Sequence, residues 1–150
     1  MKANRLFIAC VATVALAACG GSTELTATLS GEAQKPAAVN TPATGSAKVT
    51  VDGSKLSISG SFKDLSSNTA GAHIHGPTDA NGVGPVFCHL SVPTGNSGSI
   101  GADGPTSPKC SDKELSDTDI SNFEAGKFYV NIHSANFKDG EIRGDLKKVE

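Results

Sequence analysis

The stretch Phe128-Tyr-Val-Asn-Ile-His133 decides the fold, because apolar and polar side chains alternate along it. Successive side chains of a β-strand point to opposite faces of a sheet, so Val130 and Ile132 share a core-facing side. His133 then lies on the opposite face. The same period in Ala72-His-Ile-His75 predicts a second strand, with both of its histidines on the face away from the core.

The rest of the chain repeats this pattern in short alternating runs separated by Gly, Pro, Asn, Asp and Ser, with 17 glycines in 150 residues. Such spacing is typical of a single all-β domain, a sandwich or a barrel. The predicted strands are residues 25–29, 47–51, 56–62, 72–75, 86–90, 127–134 and 141–146. Asp52-Gly53 indicates a hairpin, residues 34–44 and 93–108 are predicted loops, and Ser116 or Asp117 caps one predicted helical turn over residues 116–123.

The N-terminal residues have the pattern of a secretory signal, a basic start followed by an apolar run of about 11 residues, too short to span a membrane. Leu16-Ala-Ala-Cys19 resembles the lipobox of bacterial lipoproteins, in which the cysteine is lipidated and becomes the new N-terminus. We therefore expect a signal over residues 1–18, a lipidated linker over 19–24 and a folded domain over 25–150. The resemblance to such signals implies that Gly20-Gly-Ser22, with no aspartate after the cysteine, permits transfer to an outer membrane where the cell has one. The alternative is an ordinary secreted protein that loses Cys19 or leaves it free.

The cysteine count predicts one disulfide. Cys10 leaves with the signal and Cys19 carries lipid, so only Cys88 and Cys110 remain in an oxidising compartment, where a lone pair usually bonds. The rival interpretation makes Cys88 a metal ligand beside His89, but neighbours on a strand point to opposite faces.

The candidate functional residues are polar side chains on the faces away from the core. They are His73, His75, His133 and, from the last strand, Arg143. A five-residue loop over residues 136–140 would keep core residues paired with core residues and place Arg143 opposite His133. Two interpretations stay open: a metal site, or polar residues hydrogen-bonded on the surface of a sandwich.

Four ordered motifs resemble the CHRD (chordin-type) domain family over essentially the whole mature chain. They are Gly71-Ala-His-Ile-His-Gly-Pro77, Gly84-Pro-Val-Phe87, Lys127-Phe-Tyr-Val-Asn-Ile-His-Ser134 and Gly140-Glu-Ile-Arg-Gly-Asp-Leu146. This family is in turn distantly similar to the copper-zinc superoxide dismutases, which implies an immunoglobulin-like antiparallel Greek-key β-sandwich.

The more distant resemblance implies a ligand set. By motif, His73, His75 and His133 match copper ligands and Arg143 matches the arginine that guides the anionic substrate. Val86 stands where the enzymes have their bridging histidine, and their zinc loop has no counterpart, so a single ion is implied. His89 is a further candidate ligand, although it is offset from the expected position.

Three functions follow as hypotheses. The first is an envelope protein that binds one copper ion, or zinc, for sequestration, delivery or resistance, because imidazole suits both metals and the stability order favours copper. The second is a binding module for a protein partner, without metal. The third is a superoxide dismutase-like enzyme. A formal net charge of -2 does not indicate the basic surface that nucleic-acid binding requires. No other catalytic arrangement of residues stands out in the sequence.

Overall fold

The computed structural model describes residues 21–150, so the expected signal, Cys10 and the expected lipidation site Cys19 lie outside the described residues. Nine strands and one helix follow in chain order. They are β1 (Thr23–Ser30), β2 (Thr44–Asp52), β3 (Lys55–Lys63), β4 (Thr69–His75), β5 (Val86–His89), β6 (Gly98–Gly101), α1 (Asp117–Glu124), β7 (Tyr129–Ser134), β8 (Ile142–Asp145) and β9 (Lys147–Lys148). Within residues 21–150, no helix is long and apolar enough to cross a membrane.

The strands form one curled antiparallel sheet in the order β5-β4-β7-β8-β1-β2-β3-β6, with β9 beside β1. An antiparallel bridge between Ser91 and Gly101 joins the chain after β5 to the end of β6. The connection through α1 then returns β7 to lie beside β4, which is the Greek-key arrangement. The prediction of an antiparallel all-β domain is confirmed. The two layers expected of a sandwich correspond to the two halves of this one curled sheet.

One hydrophobic core fills the space between the two halves. Leu25 and Val49 from one half and Ile74 and Ile132 from the other are fully buried in the same cluster. Cys88 and Cys110 are joined in a disulfide, as the cysteine count predicted, and both are fully buried within this core. The disulfide fixes the segment after β6 to β5.

Most local predictions are confirmed. The β2–β3 hairpin turns after Asp52, where Gly53 has a φ of 54° that favours glycine. Ser116 caps α1, accepting from the Asp119 backbone N–H while the Asp119 carboxylate accepts from Ser116. The predicted loop over residues 93–108 is wrong in part, because β6 (Gly98–Gly101) lies inside it and pairs with β3. Its two glycines gave that strand no sequence signal.

The predicted register of the last hairpin is also wrong. Arg143 pairs with Asn131 and Ile142 pairs with Ile132, so Arg143 is not opposite His133. Core residues still face core residues, as parity requires, but the register is shifted by two residues along β7. The Glu141 N–H donates to the Ile132 carbonyl before β8 begins.

The polar face of β7 and β8 is covered rather than exposed. Asn131 and Arg143 are buried, and so is Gln34 from the segment between β1 and β2. The Gln34 side-chain amide donates to Asn131 Oδ1 at 2.9 Å. Arg143 forms an ion pair with Asp145 at 2.7 Å.

Candidate metal centre

Adjacent strands β4 and β7 bring three histidines into one group. His73 and His75 come from β4 and His133 from β7, and one ring nitrogen of each lies within 4.8 Å of the others. The strand period produces this arrangement, because residues two apart on β4 share a face with every second residue of β7. All three rings are half-buried. Such a group could hold a metal ion.

Two backbone carbonyls fix the tautomers of His75 and His133. His75 Nδ1 lies 3.0 Å from the Gly84 carbonyl oxygen, and His133 Nδ1 lies 2.8 Å from that of Lys138. A carbonyl oxygen only accepts, so in both rings Nδ1 carries the proton and Nε2 keeps a lone pair. Hydrogen bonds of this kind orient histidine ligands in metal sites.

His75 Nε2 is buried and has no hydrogen-bond partner, the sole side-chain nitrogen or oxygen among residues 21–150 in that condition. A buried acceptor without a hydrogen-bond partner destabilises the fold by about 1–3 kcal/mol. Such an atom within a group of potential metal ligands therefore needs an explanation. A bound cation would supply the missing partner. This atom is the observation that best fits the group to a metal.

His73 completes the group through a hydrogen bond to His133. Its Nδ1 lies 3.0 Å from His133 Nε2. Because His133 Nε2 keeps its lone pair, the His73 Nδ1–H is the donor in the metal-free protein. A metal on His133 Nε2 would replace this hydrogen bond.

The group favours neutral imidazoles. Burial and, to a smaller extent, the neighbouring His133, His75 and His89 together lower the pKa of His73 to about 4. Burial also lowers the pKa of His75, against the opposing effect of its bond to Gly84, and lowers that of His133. Neutral imidazole is the form that binds metal. Near pH 7 the rings are already neutral, so metal binding does not require an imidazolium to lose a proton.

The fourth histidine stands beside the group but outside it. His89 pairs with His73 across β5 and β4, and the two rings meet edge to face with centroids 4.8 Å apart. The donor group comprises His73, His75 and His133 alone. His89 is therefore a neighbour of the candidate centre.

Arg143 lies in a stack rather than at an open surface. Its guanidinium carbon is 3.5 Å from the centre of the Tyr129 ring, which in turn stacks against His75 at 4.9 Å. Arg143 is 2% exposed and its guanidinium is bound by Asp145. A guanidinium that is buried and paired with a carboxylate attracts a soluble anion only weakly.

The residue expected at the bridging position is apolar and exposed. Val86 pairs with His75 and is 44% exposed. Sequence reasoning missed the carbonyls of Gly84 and Lys138 and the stacking role of Tyr129. A backbone acceptor carries no residue type, so no sequence signal could have found it.

Comparison with known proteins gives one match. The CHRD domain family model matches residues 25–146, which include all the strands from Leu25 of β1 to β8 and every member of the histidine group. No curated protein and no solved structure matches the chain.

Proposed function

The chain belongs to the CHRD domain family, and we propose that this member is a lipid-anchored protein of the bacterial envelope that binds one copper ion. His73, His75 and His133 are the ligands. Copper is favoured over zinc because imidazole suits both ions and the stability order of divalent metals places copper first. Sequestration, delivery or resistance are the roles that fit such a carrier at the cell envelope.

The buried, unpartnered Nε2 of His75 is the observation that carries the metal proposal. The same nitrogen belongs to a ring whose other nitrogen is fixed by a backbone carbonyl, as in the outer shell of known metal sites. Three imidazoles match a centre with three protein ligands and an open position. Superoxide dismutation is not part of the proposal, because Arg143 is buried against Tyr129 and paired with Asp145.

Metal titration tests the proposal. A Cys19→Ser form with its disulfide oxidised is titrated with Cu(I), Cu(II) and Zn(II), and we expect one copper per chain. His73→Ala, His75→Ala and His133→Ala should each weaken binding by more than the roughly 10- to 100-fold that follows loss of an outer-shell partner. His89→Ala is the matched control, since it removes the one histidine outside the donor group and should retain copper.

Absence of copper and zinc binding would contradict the metal proposal, and so would binding that His133→Ala leaves unchanged. The histidines would then be polar residues of a covered strand face, and a protein partner would become the better hypothesis. Anchoring is tested separately by incorporation of labelled fatty acid into the full chain, which Cys19→Ser should abolish. Equal labelling of that variant would refute Cys19 as the lipid attachment site.

A further inference from the structure

A buried positive charge is separated from one of the three histidines by a single aromatic ring. The Arg143 guanidinium carbon lies 3.5 Å from the centre of the Tyr129 ring. That ring stacks on His75, with centroids 4.9 Å apart and an angle of 8° between the two planes. Arg143 and Tyr129 are 2% and 4% exposed, so the stack is shielded from bulk water. Charges interact more strongly where water is excluded.

The ion pair between Arg143 and Asp145 does not cancel this charge at His75. The Asp145 side chain is 53% exposed, whereas that of Arg143 is 2% exposed. Water screens the exposed carboxylate more than the buried guanidinium, so a net positive field remains inside the stack. Burial is the largest cause of the lowered pKa of His75, and the positive charge of Arg143 also contributes to it. The field of Arg143 therefore acts on this ring.

The proposed ligands carry no negative charge that could offset the field. The donor group consists of His73, His75 and His133, and it includes neither a carboxylate nor a thiolate. Imidazole binds a metal as the neutral ring, so a bound ion would keep its full formal charge. Electrostatic repulsion is proportional to that charge, and a divalent ion is repelled about twice as strongly as a monovalent one.

We propose that Arg143 makes the histidine site selective for Cu(I) over divalent ions such as Zn(II) and Cu(II). The inference rests on the proposed copper function and adds the oxidation state of the ion that the site holds. Specificity is a difference between two affinities, and a repulsive group provides it by weakening the wrong ion more than the right one. Arg143 is thus a specificity-determining residue that acts on the ion from behind Tyr129 and His75.

The first variant is Arg143→Met, which removes the charge and keeps an unbranched side chain that can cover Tyr129. The mature lipidated protein in detergent is titrated with Cu(I), without oxygen, against a chromophoric Cu(I) chelator. Zn(II), which has no redox chemistry, is the divalent probe and is titrated against a zinc chelator. We expect the variant to bind Cu(I) roughly threefold and Zn(II) roughly tenfold more tightly than the parent, because the factor for a divalent ion is the square of the monovalent one.

The second variant, Asp145→Asn, leaves the buried arginine in place and removes its exposed partner. It should shift the affinities in the opposite direction, weakening Zn(II) more than Cu(I). Lys48→Met is the matched control, because Lys48 is also paired with a carboxylate, that of Glu24, but is half exposed and lies on β2, outside the strands that carry the histidines. Both affinities should stay unchanged in this control. Urea unfolding of each metal-free variant checks that the domain is folded.

Equal fold-changes for Cu(I) and Zn(II) in the Arg143 and Asp145 variants would overturn the inference and leave the copper site itself in place. Unchanged affinities in both variants would also overturn it. Weaker binding of both ions by Arg143→Met, without an opposite shift in Asp145→Asn, would make Arg143 a packing residue only. If Arg143→Met does not fold, the Asp145→Asn result decides alone. A parent protein that binds no Cu(I) would refute the proposed function, and the inference with it.

Discussion

The His75 ring shows how a strand histidine is prepared for a ligand. Nδ1 is occupied by the Gly84 carbonyl at 3.0 Å, Tyr129 stacks on the ring, and Nε2 is buried without a partner. A histidine that served only to decorate a surface would turn its free nitrogen to water, where it costs nothing. The backbone hydrogen bond prevents that rotation, so the lone pair stays directed at the group.

Acid should destabilise the metal-free protein, because His73 resists protonation in the folded state. Its pKa is lowered by burial from 6.5 to about 4, so between these pH values the unfolded chain binds a proton that the folded chain does not. The contribution is complete above about pH 6.5 and is lost as pH falls toward 4. Urea unfolding at pH 7.5, 6.5 and 5.5 should give a falling free energy of unfolding.

His73→Gln should reduce this slope, and an equal slope in the variant would contradict the assignment to His73. The measurements stay above about pH 5 because a second group, Glu141, also destabilises the fold when it is protonated at more acidic pH. Burial alone would raise the pKa of Glu141, but hydrogen bonds from Ser134, Thr41 and Ser66 outweigh it and hold the pKa below 4.5. Protonation of Glu141 therefore destabilises the fold at more acidic pH.

The β4–β7 pair is the element that the sequence describes best. Alternation alone placed His73, His75 and His133 on one side of the sheet, because a period of two is a geometric property of a strand. Alternation could not predict that Asn131 and Arg143 are buried. It indicates which face of the sheet a side chain occupies, but not which loop folds over that face. Gln34, which closes that face, is separated from Asn131 by 97 residues and lies in a segment without periodicity.

The segment between β4 and β5 is the element through which the site can be disturbed without touching a ligand. Gly84 in this segment accepts from His75, and a Cβ at Gly84 would come within 2.8 Å of the Gly76 Cα and 2.9 Å of the Pro77 carbonyl oxygen. Backbone atoms cannot yield as a flexible side chain can. An alanine there must displace the segment and its carbonyl.

Gly84→Ala should therefore weaken copper binding by roughly 10- to 100-fold, the range for loss of an outer-shell partner. Competition with a chromophoric copper chelator would measure the change, with unfolding in urea as a check that the fold persists. Gly21→Ala is the matched control, because its added Cβ would meet nothing within 4 Å. Equal copper affinity in both variants would mean that the Gly84 carbonyl does not support His75.

The domain has two ends along the direction of its strands. The proposed lipid anchor lies near one end, and the histidine group lies nearer the other. Thr23, which begins β1, pairs with Val51 next to the β2–β3 hairpin. Three residues separate it from Cys19, so a lipid at Cys19 would lie within roughly 15 Å of this end. At the other end of β1, Ser30 pairs with Arg143, and the loop that carries Lys138 precedes β8.

Orientation on a membrane follows from this geometry. The eight residues of β1 span roughly 23 Å, so the hairpin end should lie near the bilayer and the loop beside His133 should face away from it. Lys55 at the hairpin and Lys138 in that loop are both exposed and provide matched labelling positions. Lys55→Cys and Lys138→Cys proteins, each lipidated, would carry the same fluorophore in vesicles that contain quencher-bearing lipids.

We expect strong quenching at position 55 and little at position 138, because contact quenching by lipids requires the fluorophore to reach the bilayer. The same labels on proteins with Cys19→Ser should escape quenching in both positions, which separates anchoring from adsorption. Stronger quenching at position 138 would place the histidine group against the membrane and contradict the proposed orientation. The expected result would leave the histidine group on the side of the domain that faces away from the bilayer.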